Sequence, residues 1–162
     1  MQVSKGVEWA VHCCTVLALV PPNSGLSAEA LSEFFEVPGA YLAKQMQALS
    51  RYGILESARG KRGGYRLAKL VDTITLLDIV LAIEGPAPAF RCTEIRRNGP
   101  CGVPRAQCRR PCEVASAFAS AEAAWRDALR QRTLASIMQE AAANSTPDHL
   151  LAMVGWVKEK TG

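Results

Sequence analysis

Arg59-Gly60-Lys61-Arg62-Gly63-Gly64-Tyr65-Arg66-Leu67 is the stretch on which the reading of the fold turns. Four cations and three glycines share these nine residues, with Ile54-Leu55 as an apolar segment before them and Tyr65 and Leu67 after. Glycine lets a backbone turn sharply, so the two flanks can pair as a hairpin that carries its cations at the tip. Arginine and lysine so placed reach phosphate or enter a groove. Immediately upstream, Pro38-Gly39-Ala40-Tyr41-Leu42-Ala43-Lys44-Gln45-Met46-Gln47-Ala48-Leu49-Ser50-Arg51 reads as a helix whose polar face carries Lys44, Gln45, Gln47 and Arg51. A basic run alone is usually a solvated loop. A helix able to read base edges followed by a basic hairpin is instead a winged helix-turn-helix. The predicted fold class is therefore mostly α with a small β wing, and the predicted partner is double-stranded DNA.

The rest of the chain fits around that unit. A first helix over 4–20 is apolar around most of its circumference, so it is buried on more than one side. Asn23-Ser24-Gly25 is a turn, and Ser27 caps a second helix through about Glu36, with Ala30, Leu31 and Phe34 at core spacing. Pro38 suits the first turn of the third helix and Gly53 its end. Strands around 54–57 and 64–67 form the wing. Thr75 caps a fourth helix, Leu76 to Glu84, which Gly85-Pro86 stops. Residues 1–84 thus form the DNA-binding domain. Residues 85–112 have no sustained period and read as an irregular loop rich in arginine and cysteine, and loops of that length are usually functional or disordered. Residues 113–162 hold a long alanine-rich helix to about Arg132, a shorter one from Leu134 to Ala143, and an amphipathic helix over 147–160. A long helix with a small-residue stripe beyond a winged domain suits dimerisation; packing within one chain is the plainer alternative.

Charge follows this division. The 162 residues carry a net +4, yet residues 38–66 and 91–112 each contribute +5, leaving −6 for the remainder. Positive charge concentrated in two segments favours a polyanionic partner over general solubility. The apolar run Trp9–Val20 is interrupted by Glu8 and His12 at its start and ends at Pro21-Pro22 without a small-x-small site. It is also too short to span a bilayer, so a cytoplasmic protein with no membrane partner is expected. In a reducing cytoplasm six cysteines point to metal or redox chemistry more than to a disulfide framework.

Cys92, Cys101, Cys108 and Cys112 share one loop, spaced C-x8-C-x6-C-x3-C. Thiolate is the soft ligand of iron–sulfur clusters and zinc, and the nearby Arg91, Arg105, Arg109 and Arg110 favour the anionic, ligating form. The spacing matches no zinc ribbon or ferredoxin, and free or buried thiols are the alternative. Glu8 and His12, at i and i+4, share one face of the first helix and are both competent iron ligands. A lone histidine on such a helix is more often a hydrogen-bonded core residue. Cys13 and Cys14 read as packed small hydrophobes, and His149 as a surface residue without a role. No phosphate-binding loop, nucleophile motif or cofactor fingerprint is present, so an enzyme is not expected.

Three segments carry a family resemblance: Gly6-Val7-Glu8-Trp9-Ala10-Val11-His12-Cys13-Cys14, Tyr41-Leu42-Ala43-Lys44-Gln45-Met46-Gln47-Ala48-Leu49-Ser50-Arg51, and Cys92-Thr93-Glu94-Ile95-Arg96. Together with Arg59-Gly60 and Gly63-Gly64-Tyr65 of the wing, they resemble the IscR/NsrR/RsrR-type iron–sulfur, redox-sensing regulators, most closely the redox-sensing RsrR type. The resemblance spans the chain and implies a homodimer that represses transcription from a palindromic operator. It also implies a 2Fe–2S cluster held across the subunit interface, with Cys92 and Cys112 from one chain and Glu8 and His12 from the other. Other members use three closely spaced cysteines and one further ligand. Here the gaps are wider and Cys101 is additional, so Cys108 and then Cys101 stand in reserve as ligands. Trp9, next to Glu8, is a candidate redox-coupled gate; tryptophan on a buried helix otherwise serves as core. Expected DNA contacts are Tyr41, Lys44, Gln45 and Gln47 on the third helix and Arg59, Lys61 and Arg62 on the wing, glutamine being able to pair bidentately with adenine. Arg51 is read equally as a structural complement to the helix end. The competing expectations are a 4Fe–4S or nitric-oxide sensor using three loop cysteines, a metal-free thiol switch, and a zinc-stabilised interaction protein that never binds DNA.

Overall fold

A computed structural model describes residues 3–58 and 63–162. Among the described residues, seven α-helices and a two-stranded antiparallel sheet follow in the order α1 (Lys5–Leu17), α2 (Ala28–Phe35), α3 (Gly39–Arg51), β1 (Leu55–Ala58), β2 (Gly64–Leu67), α4 (Leu76–Glu84), α5 (Glu113–Arg130), α6 (Leu134–Ala143) and α7 (Pro147–Thr161). The fold is a winged helix-turn-helix extended by helices, as the order of helix and basic hairpin predicts. Among the described residues no helix is long and apolar enough to cross a membrane.

α1 is the centre of the core. Gly6, Val7, Ala10, Cys13, Cys14, Val16 and Leu17 are all buried, and they pack with Leu31, Leu42, Met46, Leu49, Ile54, Ile74 and Ile79. The helix stops at Leu17, earlier than its apolar run suggests, because the next residues tighten into i→i−3 hydrogen bonds before the prolines: Leu19 N–H donates to Val16 O and Val20 N–H to Leu17 O. α2 starts as expected, with the Ser27 hydroxyl accepting from Ala30 N–H at 3.1 Å. The turn to α3 is pinned by the Ser32 hydroxyl, which donates to Val37 O at 2.6 Å. Pro38 is the N-cap of α3, one position before the first-turn site expected.

The wing is fixed at its base. Leu55 pairs with Leu67 and Glu56 with Arg66, while Leu26 N–H donates to Tyr65 O at 3.0 Å and Tyr65 N–H to Leu26 O at 2.7 Å. This third strand-like contact, from the turn after α1, demands glycine. Gly64 has φ +143, and a Cβ there would lie 2.5 Å from the Leu26 carbonyl. The wing-tip residues Arg59, Gly60, Lys61 and Arg62 lie outside the described residues.

α4 begins in a capping box, Thr75 Oγ1 accepting from Asp78 N–H while the Asp78 carboxylate accepts from Thr75 N–H. Residues 85–112 form the irregular loop expected, broken by short 3-10 turns at Ile95–Arg97 and Arg105–Gln107. α5 ends at Arg130, two residues before the expected Arg132, because the backbone there leaves the helix to join α4: Leu76 N–H donates to Arg132 O and Leu134 N–H to Ile74 O, both at 2.8 Å. α6, capped by Thr133, returns toward α1. α7 closes on α2 through Trp156 against Phe34, centroids 4.6 Å apart, and Lys160 with Glu33 at 2.9 Å.

The two glycines flanking β1 separate strain from collision. Gly53 has φ +73 and open space around its missing Cβ, so Gly53→Ala costs only left-handed backbone strain, about 1 kcal/mol. Gly64→Ala also forces backbone apart and is expected to cost more than about 2 kcal/mol. Urea unfolding of the two variants measures both, and equal losses would refute the role given to the Leu26–Tyr65 contact.

Candidate DNA-reading surface and cysteine loop

On α3, Leu42, Met46 and Leu49 face the core, which leaves Tyr41, Lys44 and Gln47 exposed at three-residue spacing along the outer face. Gln45 is different. It is 5% exposed, and its amide lies so close to α1 that a Cβ added to Gly6 would meet Gln45 Cδ at 3.0 Å. The expectation that Gln45 reads bases is therefore corrected: its side chain packs α3 against α1. The signal was present in the sequence, since position 45 lies three residues after Leu42 and four before Leu49, on the core stripe. Arg51 is exposed in the last turn of α3. Arg66 pairs with Glu56 across the wing at 2.7 Å.

Trp9 connects α1 to this surface. Its ring meets Tyr41 edge-on, centroids 5.1 Å apart at 81°, and the two line an open cleft of about 500 Å³ with Ser4 and Lys5. Lys5 is an exposed cation beside the reading helix that sequence reasoning passed over. Only the packing of α1 on α3 places it there.

The exposed side of α1 presents Glu8 and His12, one turn apart. With Val11 they line a second cleft, of about 410 Å³, whose other walls are Leu76 and Val80 of α4 and Trp125 and Leu129 of α5. Among the described residues neither the Glu8 carboxylate nor the His12 imidazole is engaged in a hydrogen bond or ion pair. α5 forms the long wall, and none of its 18 residues is buried; Val114 and Phe118 are more than half exposed.

The loop is fastened to α5 at both ends. At its start Ala89 N–H donates to Glu122 Oε2 at 3.0 Å, Arg126 donates to Pro86 O at 3.2 Å, and Phe90 stacks on Phe118 at 4.4 Å. Arg126 also donates to Glu122 Oε1 at 2.7 Å, and this bond first, then that from Ala89 N–H, holds the Glu122 carboxyl below its ordinary range. At its end Cys112 is the N-cap of α5 and buried. Cys92 and Cys101 are exposed and Cys108 is half-buried, and all six thiols are free. Glu94 N–H donates to Cys92 Sγ at 3.4 Å. Among the described residues of one chain, no three His, Cys, Asp or Glu side chains converge as a metal site. The donor chemistry nonetheless fits an iron–sulfur group: soft thiols on the loop, and an unengaged carboxylate and imidazole on α1.

A reading helix, a wing anchored to the domain and a long unburied helix define a winged helix-turn-helix regulator. Residues 3–140 match the Rrf2 family, described as iron-dependent transcriptional regulators, and the chain belongs to that family. YwgB of Bacillus subtilis, named as an HTH-type transcriptional regulator, is 29% identical over 138 residues, which cover 85% of each protein. Among the solved structures that share the fold are two regulators. IscR of T. potens superposes with a TM-score of 0.67 at 21% identity, over 93% of this chain and 96% of that one. CymR, the global cysteine regulator of B. subtilis, superposes with a TM-score of 0.65 at 21% identity, over 86% of this chain and 98% of that one. The chain is a DNA-binding transcriptional regulator.

Cys13 and Cys14 are fully buried on α1, the small hydrophobes the sequence suggests. Burial pushes the Cys13 thiol up to about 12 from its ordinary 9.0 and raises Cys14 as well, with Cys13 adding to the effect. A folded chain that keeps these protons while the unfolded chain releases them loses stability as pH rises above about 9, and not below it. Unfolding curves between pH 7 and 10 are expected to show that loss, and Cys13→Ala to diminish it; a variant with the same alkaline dependence would contradict the assignment.

Proposed function

We propose that the protein is a homodimeric, redox-sensing repressor that binds a palindromic operator and carries a 2Fe–2S cluster between its subunits. Cys92 and Cys112 of one chain and Glu8 and His12 of the other would hold the cluster, with Cys108 and then Cys101 as reserve ligands. The observation that carries this reading is the unengaged Glu8–His12 pair opening on a cleft walled by α5. A second chain docked along the unburied face of α5 would bring its cysteine loop to that cleft. When bound, the cluster supplies a one-electron couple, at a potential raised by imidazole and carboxylate in place of thiolates.

The chain's own residues supply the rest. α1 presents the donors on one side and holds α3 through Gly6 and Gln45 on the other, so a shift of α1 moves the reading helix with it. Trp9, between Glu8 and Tyr41, is the contact through which such a shift reaches the DNA face. Tyr41, Lys44 and Gln47 read the major groove, while Arg59, Lys61 and Arg62 take phosphate or the minor groove. Dimers read half-sites about one helical turn apart, so a change in spacing of the two heads changes operator affinity.

A thiol switch without metal is the second reading. Cys101 and Cys108 lie outside the proposed ligand set in the same loop, one exposed and one half-buried, and CymR shares the fold. Absorbance and electron paramagnetic resonance of anaerobically purified protein, before and after dithionite, separate the readings. A coloured protein whose reduced 2Fe–2S signal changes in Glu8→Ala and His12→Ala, but not in Cys101→Ala, is expected. A 4Fe–4S spectrum or a colourless protein would displace that ligand set.

For the DNA surface, Lys44→Ala and Arg59→Ala are each expected to weaken operator binding and reduce the salt slope by about 1. Gln45→Ala is expected to lower stability more than it lowers that slope. Unchanged slopes for both cation variants, measured by binding titrations at several salt concentrations, would exclude the assigned surface.

A further inference from the structure

We infer that Arg96 is a positioning residue that assembles the thiol half of the site within one chain, by clamping the segment that carries Cys92 to the segment that carries Cys112. The inference rests on the ligand set proposed above. Its geometry stands in the protein alone.

The guanidinium of Arg96 faces three groups. It donates to Glu94 through Nε at 2.9 Å and Nη2 at 3.4 Å, a two-pronged pairing. Nη2 also donates to the Arg110 carbonyl at 2.7 Å, and Nη1 lies 3.6 Å from the Glu113 carboxylate. Glu94 belongs to the Cys92 side, since its own N–H donates to Cys92 Sγ. Arg110 and Glu113 bracket Cys112. One side chain therefore ties the segment of the first loop cysteine to that of the last, Arg96 and Arg110 being fourteen residues apart in the chain. Backbone bonding adds to it: Val103 N–H donates to Arg96 O at 2.9 Å, drawing the middle of the loop onto the same residue.

Arginine suits this task for a physical reason. A planar fork with five donors can satisfy a carboxylate and a carbonyl together, whereas an ammonium group on a flexible stem cannot hold both in fixed directions. Arg96 is also the least exposed partner in these pairings, its side chain 21% accessible against 36% for Glu94 and 88% for Glu113. The Glu94 hydrogen bonds above all hold its guanidinium in the charged form. Held at the Arg110 carbonyl, two residues before Cys112, that fixed positive charge offsets the negative charge Cys112 would carry as a ligand. The neighbouring Arg97 is exposed and makes none of these contacts, so it serves as the control.

The test uses metal-free protein, so that its failure is separate from failure of the cluster reading. Anaerobic apo-protein is treated with iodoacetamide at fixed pH, and modification of each cysteine is followed by mass spectrometry, with circular dichroism confirming the fold of every variant. Arg96→Ala is expected to raise the rate at buried Cys112 about tenfold or more, as loss of charged hydrogen bonds opens the loop end, while exposed Cys92 changes less than about twofold. Arg96→Lys is expected to fall between, and Arg97→Ala to match the parent. An unchanged Cys112 rate in Arg96→Ala, or the same increase in Arg97→Ala, would overturn the proposal. In loaded protein, Arg96→Ala is further expected to lower the cluster's midpoint potential while Arg96→Lys restores most of it. Identical potentials in all three would remove the charge-offset role.

Discussion

The packing of α1 against α3 is the constraint on which the molecule depends. Ala10, Cys13 and Cys14 fill the space above Leu42, Met46 and Leu49, and Gly6 permits an approach close enough for Gln45 to be enclosed. Side chains packed at crystal-like density transmit displacement instead of absorbing it. α1 and α3 therefore behave as one body with two working faces. One face carries the exposed Tyr41, Lys44 and Gln47. The other bears Glu8 and His12. On the function proposed above, input and output are opposite sides of one helix pair.

The second frame element is α5. It contributes no buried residue of its own, yet it receives the beginning of the cysteine loop through Glu122, Arg126 and Phe118, and its end through Cys112. Its far end is tied into the DNA-binding domain by the bridge between Thr75 and Thr133. The loop of 85–112 is irregular without being loosely held, since charged side chains and backbone amides fasten it where a hydrophobic core does not. Glu94 even takes a left-handed conformation, φ +54, to turn its carboxylate toward Arg96 and its amide toward Cys92.

Much of this was legible in the residues because local chemistry decided it. Thr75, Ser27 and Thr133 are capping residues, and each stands before a helix in the structure. The basic, glycine-rich run marked the hairpin. What escaped reading depended on contacts between distant segments. The place of Gln45 on the core stripe was visible in α3 alone, but the α1 backbone that encloses its amide was not. Lys5 gains its place near the reading helix from the same packing. The tethering of the loop by Arg96 joins residues that no periodicity relates, in a stretch that has no period at all. Glu8 and His12 were readable as a pair from their i, i+4 spacing, but that both open on the cleft walled by α4 and α5 is a fact of three dimensions.

The base of the wing is held by main-chain hydrogen bonds between Leu26 and Tyr65 and by a glycine that leaves room for them. No side chain between the two strands is needed for that attachment. Evolution can therefore rewrite the hairpin tip, in charge, length or shape, while the platform beneath it stays in register. The arrangement separates the evolvability of operator preference from the integrity of the fold that carries it: related regulators can diverge in what they bind without disturbing the platform beneath.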